Sequence, residues 1–225
     1  MCVCLHLNML SWSSTESPWS LWFHRLFNWV LFLTCVCVLY FAYDLFPACP
    51  RRAYVTKNVC KSVCLCVLCV FAIPTVVFPA MGGTWHTSSI RMIAAAYVSH
   101  DFVGLLRVRL SWSTRLHHIS SFVLMCVCFE LDFSTSLLGQ AIFVYTFCSS
   151  MAFVVNLYLA VRIIGWEYKV ALCRVSFVVY SVCCACNWTW HLLYYDFKDP
   201  VYVVALIFIV WDDIYLLKFL WRDSY

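Results

Sequence analysis

Charge is what this sequence has least of. Only 12% of its 225 residues are Asp, Glu, Lys or Arg, while 64% are hydrophobic. Soluble chains carry about 25% charged residues, and no soluble domain of this length needs so much apolar surface. The class is therefore a polytopic membrane protein. A hydrophilic stretch long enough to house a separate soluble domain is missing, and so is any soluble basic face, which excludes nucleic-acid binding. Internal repeats and low-complexity tracts are missing as well. The sixteen cysteines lack the spacing of a disulfide framework. Most sit in apolar runs such as CLCVLC and VCCAC, where Cys packs as a small hydrophobe. Cys66 and Cys69 form a CxxC, but without a second pair no metal site is expected. No Lys or Arg precedes the apolar MCVCL run near the N-terminus, so a cleaved signal peptide is not expected.

What the sequence does have is long apolar runs. Length and lack of charge predict seven spans, at 27–46, 63–80, 92–106, 116–133, 137–161, 175–195 and 201–217. The fifth is long enough to tilt. The expected fold is all-α, a transmembrane bundle of seven helices, with the first set apart by a proline- and cation-bearing linker at 47–61. Cation placement supports the division. With the N-terminus outside, twelve cations fall on one side: Arg51, Arg52, Lys57, Lys61, Arg107, Arg109, Arg115, Arg162, Lys169, Arg174, Lys218 and Arg222. The other side receives only Arg25, Arg91 and Lys198. Cytoplasmic loops concentrate Lys and Arg, so the N-terminus is expected to be lumenal or exoplasmic and the C-terminus cytosolic. The topology is that of a seven-helix receptor, but Asp-Arg-Tyr is missing after the third span and Asn-Pro-x-x-Tyr from the last.

The stretch YVSHDFVGLLRVRLSWSTRLHHISS, residues 97–121, organises the rest. It places His100 and Asp101 late in the third span and His117 and His118 at the start of the fourth, across a basic loop. Ionisable groups at membrane depth are costly and mark function. Asp101 lies six residues before Arg107 and His118 three after Arg115, depths of roughly 9 Å and 4–5 Å at helical rise, so the two groups can meet. Imidazole can act as a base or nucleophile near neutral pH; alternatively the pair is structural, bonding Asp101 and capping its helix. Asp101 either orients one histidine or pairs with Arg107 or Arg109. His100 points to a different face.

Two polar stripes follow helical spacing: Tyr145, Ser149, Ala152 and Asn156, and Ser176, Tyr180, Cys183 and Asn187. Both suit a polar-lined cavity, and both also suit close helix contacts. Asp212 and Asp213 are adjacent, so at most one is expected to face the bundle, with Lys218 or Arg222 neutralising the other. Asp212 is counted with the cavity, as are His100, Tyr145, Ser149, Asn156 and Asn187. Arg107, Arg109 and Arg115 would ring its entrance, suited to an anionic headgroup or an acyl-CoA phosphate. Cys49 and Cys60 are positioned for S-palmitoylation.

The His-Asp segment, the short basic loop and the Leu-His-His that opens the next helix resemble the TLC domain, which ceramide synthases share. The likeness runs from about residue 54 to 218, including TKNVCKSVC at 56–64, with Cys64 where a His is common, and WDDIYLLK at 211–218. It implies a six-helix TLC core over 50–220, preceded by an N-terminal segment and helix (1–49) and followed by a short cytosolic tail (221–225). It also implies that His117, His118 and Asp101 serve the site, with no cofactor. In ceramide synthases the pair serves acyl transfer from an acyl-CoA to a sphingoid base. Those enzymes carry a His-Asp-x-x-Asp element in the fifth span, whereas 137–161 holds no acid and only FCSSMAF, and no appended homeobox is seen. The expected function is therefore binding, sensing or organising of membrane lipid, such as ceramide, a sphingoid base or fatty acyl-CoA, in the endoplasmic reticulum or plasma membrane. Acyl transfer of ceramide synthase type is the alternative.

The cation split yields a direct test of orientation. An N-glycosylation acceptor placed at 196–200 is expected to be modified in cells, and one at 107–115 is not. The opposite pattern would invert the topology.

Overall fold

A computed structural model describes residues 18–49 and 51–225, so the MCVCL run lies outside the described residues. Among the described residues the chain is all-helical, with no strand. Helix α1 spans Pro18–Leu45 and α2 Arg52–Ala72. A π-helical turn, Ile73–Val77, carries α2 into α3, Phe78–Met81. Then come α4 (Thr87–Arg107), α5 (Trp112–Cys128), α6 (Leu137–Met151), α7 (Phe153–Ile164), α8 (Lys169–Tyr194) and α9 (Pro200–Asp223). Among the described residues three helices are long and apolar enough to cross a membrane: Trp22–Leu45, Arg52–Met81 and Lys169–Tyr194. A fourth is added if α6 and α7, which meet at 41°, are one span. Helices α4, α5 and α9 are outside that set; they carry Asp101, the histidine pair and the two adjacent aspartates respectively.

Local chemistry sets the ends and breaks. Pro74 removes one helical N–H and crowds the preceding turn, which the π-helical turn absorbs. Ser111 and Ser136 cap α5 and α6, their hydroxyls accepting from Thr114 N–H at 3.3 Å and Gly139 N–H at 3.0 Å. Gly165 ends α7 at φ 82°, a conformation that costs glycine little. Pro200 supplies a preorganised first turn for α9.

Two boundaries differ from the sequence reading. The linker expected at 47–61 is much shorter, because α2 already begins at Arg52. No Gly or Pro interrupts 52–73, and the Thr56 and Asn58 side chains donate to carbonyls one turn back, at 2.9 and 2.8 Å. The stretch 137–161, expected to be a single tilted helix, is broken at Ala152. Thr146 and Ser150 hydroxyls donate to the Ile142 and Thr146 carbonyls, at 2.9 and 2.8 Å, a back-bonding pattern that bends helices. Just past the break α7 is docked from two sides: Ser62 of α2 donates to Phe153 O at 2.9 Å and Ser176 of α8 to Val154 O at 3.1 Å.

The helices close a ring. Helix α2 packs on α4, α4 on α5, α5 on α9, α9 on α8, α8 on both α6 and α7, and α7 back on α2. Helix α1 lies outside it, mainly against α4. An apolar cluster that includes Val76, Ala95, Met125, Phe129, Phe133 and Tyr202 fills the end where α4 begins and α5 ends. A second, with Val155, Tyr158, Cys173 and Leu220, joins α7, α8 and α9.

Asp132 ties the α5–α6 loop to the start of α4. Its Oδ1 accepts from Thr87 Oγ1 at 3.0 Å and from the Ser134 N–H and hydroxyl at 3.0 and 2.8 Å. Partial burial alone would raise its pKa, but these hydrogen bonds and the nearby Arg91 charge outweigh that and hold it below the ordinary carboxylate value. A depressed folded-state pKa stabilises above the unfolded value, and the contribution disappears as pH falls through the folded one. Wild type should therefore melt above Asp132→Asn at pH 7 in detergent, and the gap should close on acidification below the usual carboxylate range. A gap that is constant with pH would assign the loop's stability to packing.

Candidate functional site

The polar residues that the sequence scattered over several helices meet inside the ring. Asp101 on α4 is completely buried. Its Oδ1 accepts from Lys61 Nζ of α2 at 2.5 Å and lies 3.2 Å from His118 Nε2 of α5. Its Oδ2 has no hydrogen-bond partner. One turn on from Asp101, Gly104 explains how three helices come this close: a Cβ there would stand 3.2 Å from Lys57 Cε and 3.6 Å from His118 Cε1. The absent side chain is the channel through which Lys57 passes. Lys57 and Lys61 are four residues apart on α2, hence on one face.

Beside this cluster lies a cavity of about 360 Å³. Lys57, Lys61, His117, His118, Tyr145 and Asp212 line it, as do Ser149, Ala152 and Asn156. Of the residues expected to form a cavity wall, Tyr145, Ser149, Asn156 and Asp212 are there, and the stripe from Tyr145 to Asn156 survives the break at Ala152. His100 and Asn187 are buried but do not line it. The Asn187 carbonyl contacts His191 Nδ1 at 2.8 Å, one turn further along the same helical stripe, and His191 Nε2 contacts the Tyr202 hydroxyl at 2.5 Å. Tyr145 Oη is buried and closes no hydrogen bond of normal geometry, although Ser149 stands beside it.

The two adjacent aspartates both face inward, contrary to the expectation that at most one would. Asp212 borders the cavity, with Oδ2 at 3.6 Å from His117 Nδ1 and Oδ1 accepting from the Thr114 hydroxyl at 3.4 Å. Asp213, 4% exposed, accepts a 2.6 Å hydrogen bond from Tyr180. Side chains about 100° apart on a helix can both be covered when neighbours flank it, here α5 on one side and α8 on the other. Neither Lys218 nor Arg222 forms an ion pair with them, and both are exposed.

The three arginines also part company. Arg107, at the last turn of α4, reaches outward to Asp44 of α1 at 2.5 Å and lies over the Tyr40 ring. Arg115 is exposed and off the cavity; Arg109 is exposed and lines it. Arg162 of α7 completes the rim, paired with Asp223 at 2.8 Å. Sequence reasoning missed Lys57, Lys61 and Arg162. The first two had a usable signal, the i, i+4 spacing in TKNVCKSVC with no helix breaker before the apolar run. Among the described residues no three His, Cys, Asp or Glu side chains converge as a metal ion would require.

No family model, curated protein or solved structure matches this chain. Its functional reading rests on its own residues.

The geometry can hold a polar group among cations and imidazoles beneath a rim that carries Arg109 and Arg162. Its cost is a buried charge cluster, which gives a test. Lys61→Met leaves the Asp101 carboxylate with one neutral partner, and breaking a buried pair costs roughly 3–5 kcal/mol. A large drop in thermal stability in detergent is expected, and Lys61→Met/Asp101→Leu should recover most of it. Additive losses in the double variant would mean that the pair is not coupled.

Proposed function

We propose that this chain is a multi-pass membrane protein that binds or regulates membrane lipid, with its lipid site in the cavity beside the Asp101 cluster. The observation that carries the reading is a polar, cation-bearing cavity inside a ring whose outward faces are apolar. Val175, Val178 and Val182 of α8 are exposed, as are Val201, Val204, Ile207 and Trp211 of α9. A helix with apolar residues outward and Asp213 inward suits lipid on one side and protein on the other. On this reading α4, α5 and α9 also cross the membrane, giving seven spans, the six after Arg51 forming the ring that the TLC resemblance implies. The N-terminus is lumenal or exoplasmic and the C-terminus cytosolic, in the endoplasmic reticulum or plasma membrane. The ligand class is ceramide, a sphingoid base or a fatty acyl group, and no cofactor is required.

The alternative, acyl transfer from acyl-CoA to a sphingoid base, has one observation in its favour: the contact between His118 and Asp101. A carboxylate beside imidazole is a recurring device for orienting a base. Against it stands the acid-free α6–α7 segment. Lipids co-purifying with wild type and with His117→Ala/His118→Ala should be compared by mass spectrometry, with elution profile as the folding control. One lipid class should be lost from the double variant. Identical lipid complements would end the cavity reading, and a long-chain acyl adduct on a histidine would establish the transferase instead.

A further inference from the structure

Lys57 has no role in the reading above. It is 6% exposed, yet among the described residues it has neither a hydrogen bond nor an ion pair, and it lines the cavity. Lys61, its neighbour one turn on, is occupied by Asp101. A buried cation without a direct counter-charge is costly, and buried charges are normally paired. None of the nearby carboxylates forms an ion pair with Lys57. Asp101 is engaged by Lys61 and His118, Asp212 faces His117 and accepts from Thr114, and Asp223 is held by Arg162 and Tyr158. Lys57, Lys61, Arg109 and Arg162 line the cavity, whereas Asp212 is the one carboxylate on its wall among the described residues. Of these four, Lys57 is the buried one without a direct partner.

We propose that Lys57 is the anchor for an oxyanion headgroup, a carboxylate or a phosphate monoester, borne on a single apolar chain. The proposal rests on the lipid-cavity reading and adds the charge of the ligand to it. A volume of about 360 Å³ sits at the small end of ligand pockets, which run roughly 300–1,000 Å³. It holds a compact headgroup and the start of one chain rather than a bulky phosphodiester lipid. Leu65, Val155, Leu159, Leu216 and Phe219 supply the apolar wall for that chain. Arg109 is exposed at the rim and carries no acidic partner among the described residues, so it favours entry of an anion. Gly104 is part of the device: its missing side chain is what lets the Lys57 stem run between α2 and α4.

The test uses the full chain in nanodiscs of zwitterionic lipid and three radiolabelled probes with the same acyl chain: palmitate, palmitoyl lysophosphatidic acid and the neutral monopalmitoylglycerol. Wild type should bind at least one anionic probe tenfold or more tightly than the neutral one, and which anion wins separates carboxylate from phosphate. Lys57→Gln should abolish that preference, lowering anionic affinity to that of the neutral probe, and Lys57→Arg should restore part of it. Should Lys57→Gln not fold, Arg109→Gln, at an exposed position, should still weaken anionic binding and flatten its salt dependence. Equal binding of all three probes by wild type overturns the anchor but leaves the lipid cavity standing. Failure of every probe to bind overturns both.

Discussion

A carboxylate that no water reaches governs this structure. Asp101 is completely buried, and an ion there is tolerable only if opposite charge and hydrogen-bond donors come to it. At an effective dielectric of about 20, unit charges 4 Å apart still attract by about 4 kcal/mol. Lys61 and His118 answer that demand from two other helices. The consequence is geometric as well as energetic, because one oxygen fixes the relative depth of α2, α4 and α5. A slide of any of the three by one turn, about 5.4 Å, would leave a charge stranded. Apolar packing alone sets no such register in lipid, since the lipid tails are as apolar as the helix faces.

Once that register is set, neighbouring features follow from it. Lys57 lies on the same face as Lys61 and therefore also enters the ring, where its stem passes close against Gly104. The break at Ala152 keeps the Tyr145–Asn156 stripe along the cavity, while Ser62 and Ser176 dock the second half of the bent pair. At the far end of the ring aromatic packing takes over, with Trp29 edge-on to Phe129 at 5.2 Å and Trp85 edge-on to Phe143 at 5.7 Å. The molecule thus separates a polar layer near the α4–α5 loop from an apolar one where α4 begins and α5 ends.

Helix positions were largely legible in the sequence, since long apolar runs have few alternatives to helix. The approach of His118 to Asp101 was legible too, because a short loop forces α4 and α5 to be antiparallel neighbours and rise per residue fixes depth. The partner of Asp101 was not. Lys57 and Lys61 read as loop cations because hydropathy windows assign charged residues to the solvent, whereas a helix continues until something breaks it. Arg107 was misplaced for a related reason: its depth was right, but its direction depends on α1, and nothing local in the sequence says where α1 packs. The inward turn of both Asp212 and Asp213 required knowing that α9 lies between α5 and α8.

The same geometry divides the histidine pair into two roles. His118 points Nε2 at Asp101, and its Nδ1 is buried without a partner. Held 3.2 Å from Asp101, this imidazole serves the helix register. His117 turns Nδ1 toward Asp212 at the cavity edge, which leaves Nε2 as the nitrogen available to whatever the cavity holds. Adjacent residues on a helix differ by about 100° in direction, so one can anchor the bundle while the other faces the site. The couple that looks most like a catalytic device, Asp101 with His118, is the better placed to hold the fold. Any chemistry on a bound acyl group would fall to His117 with Asp212, across the ring from Lys57.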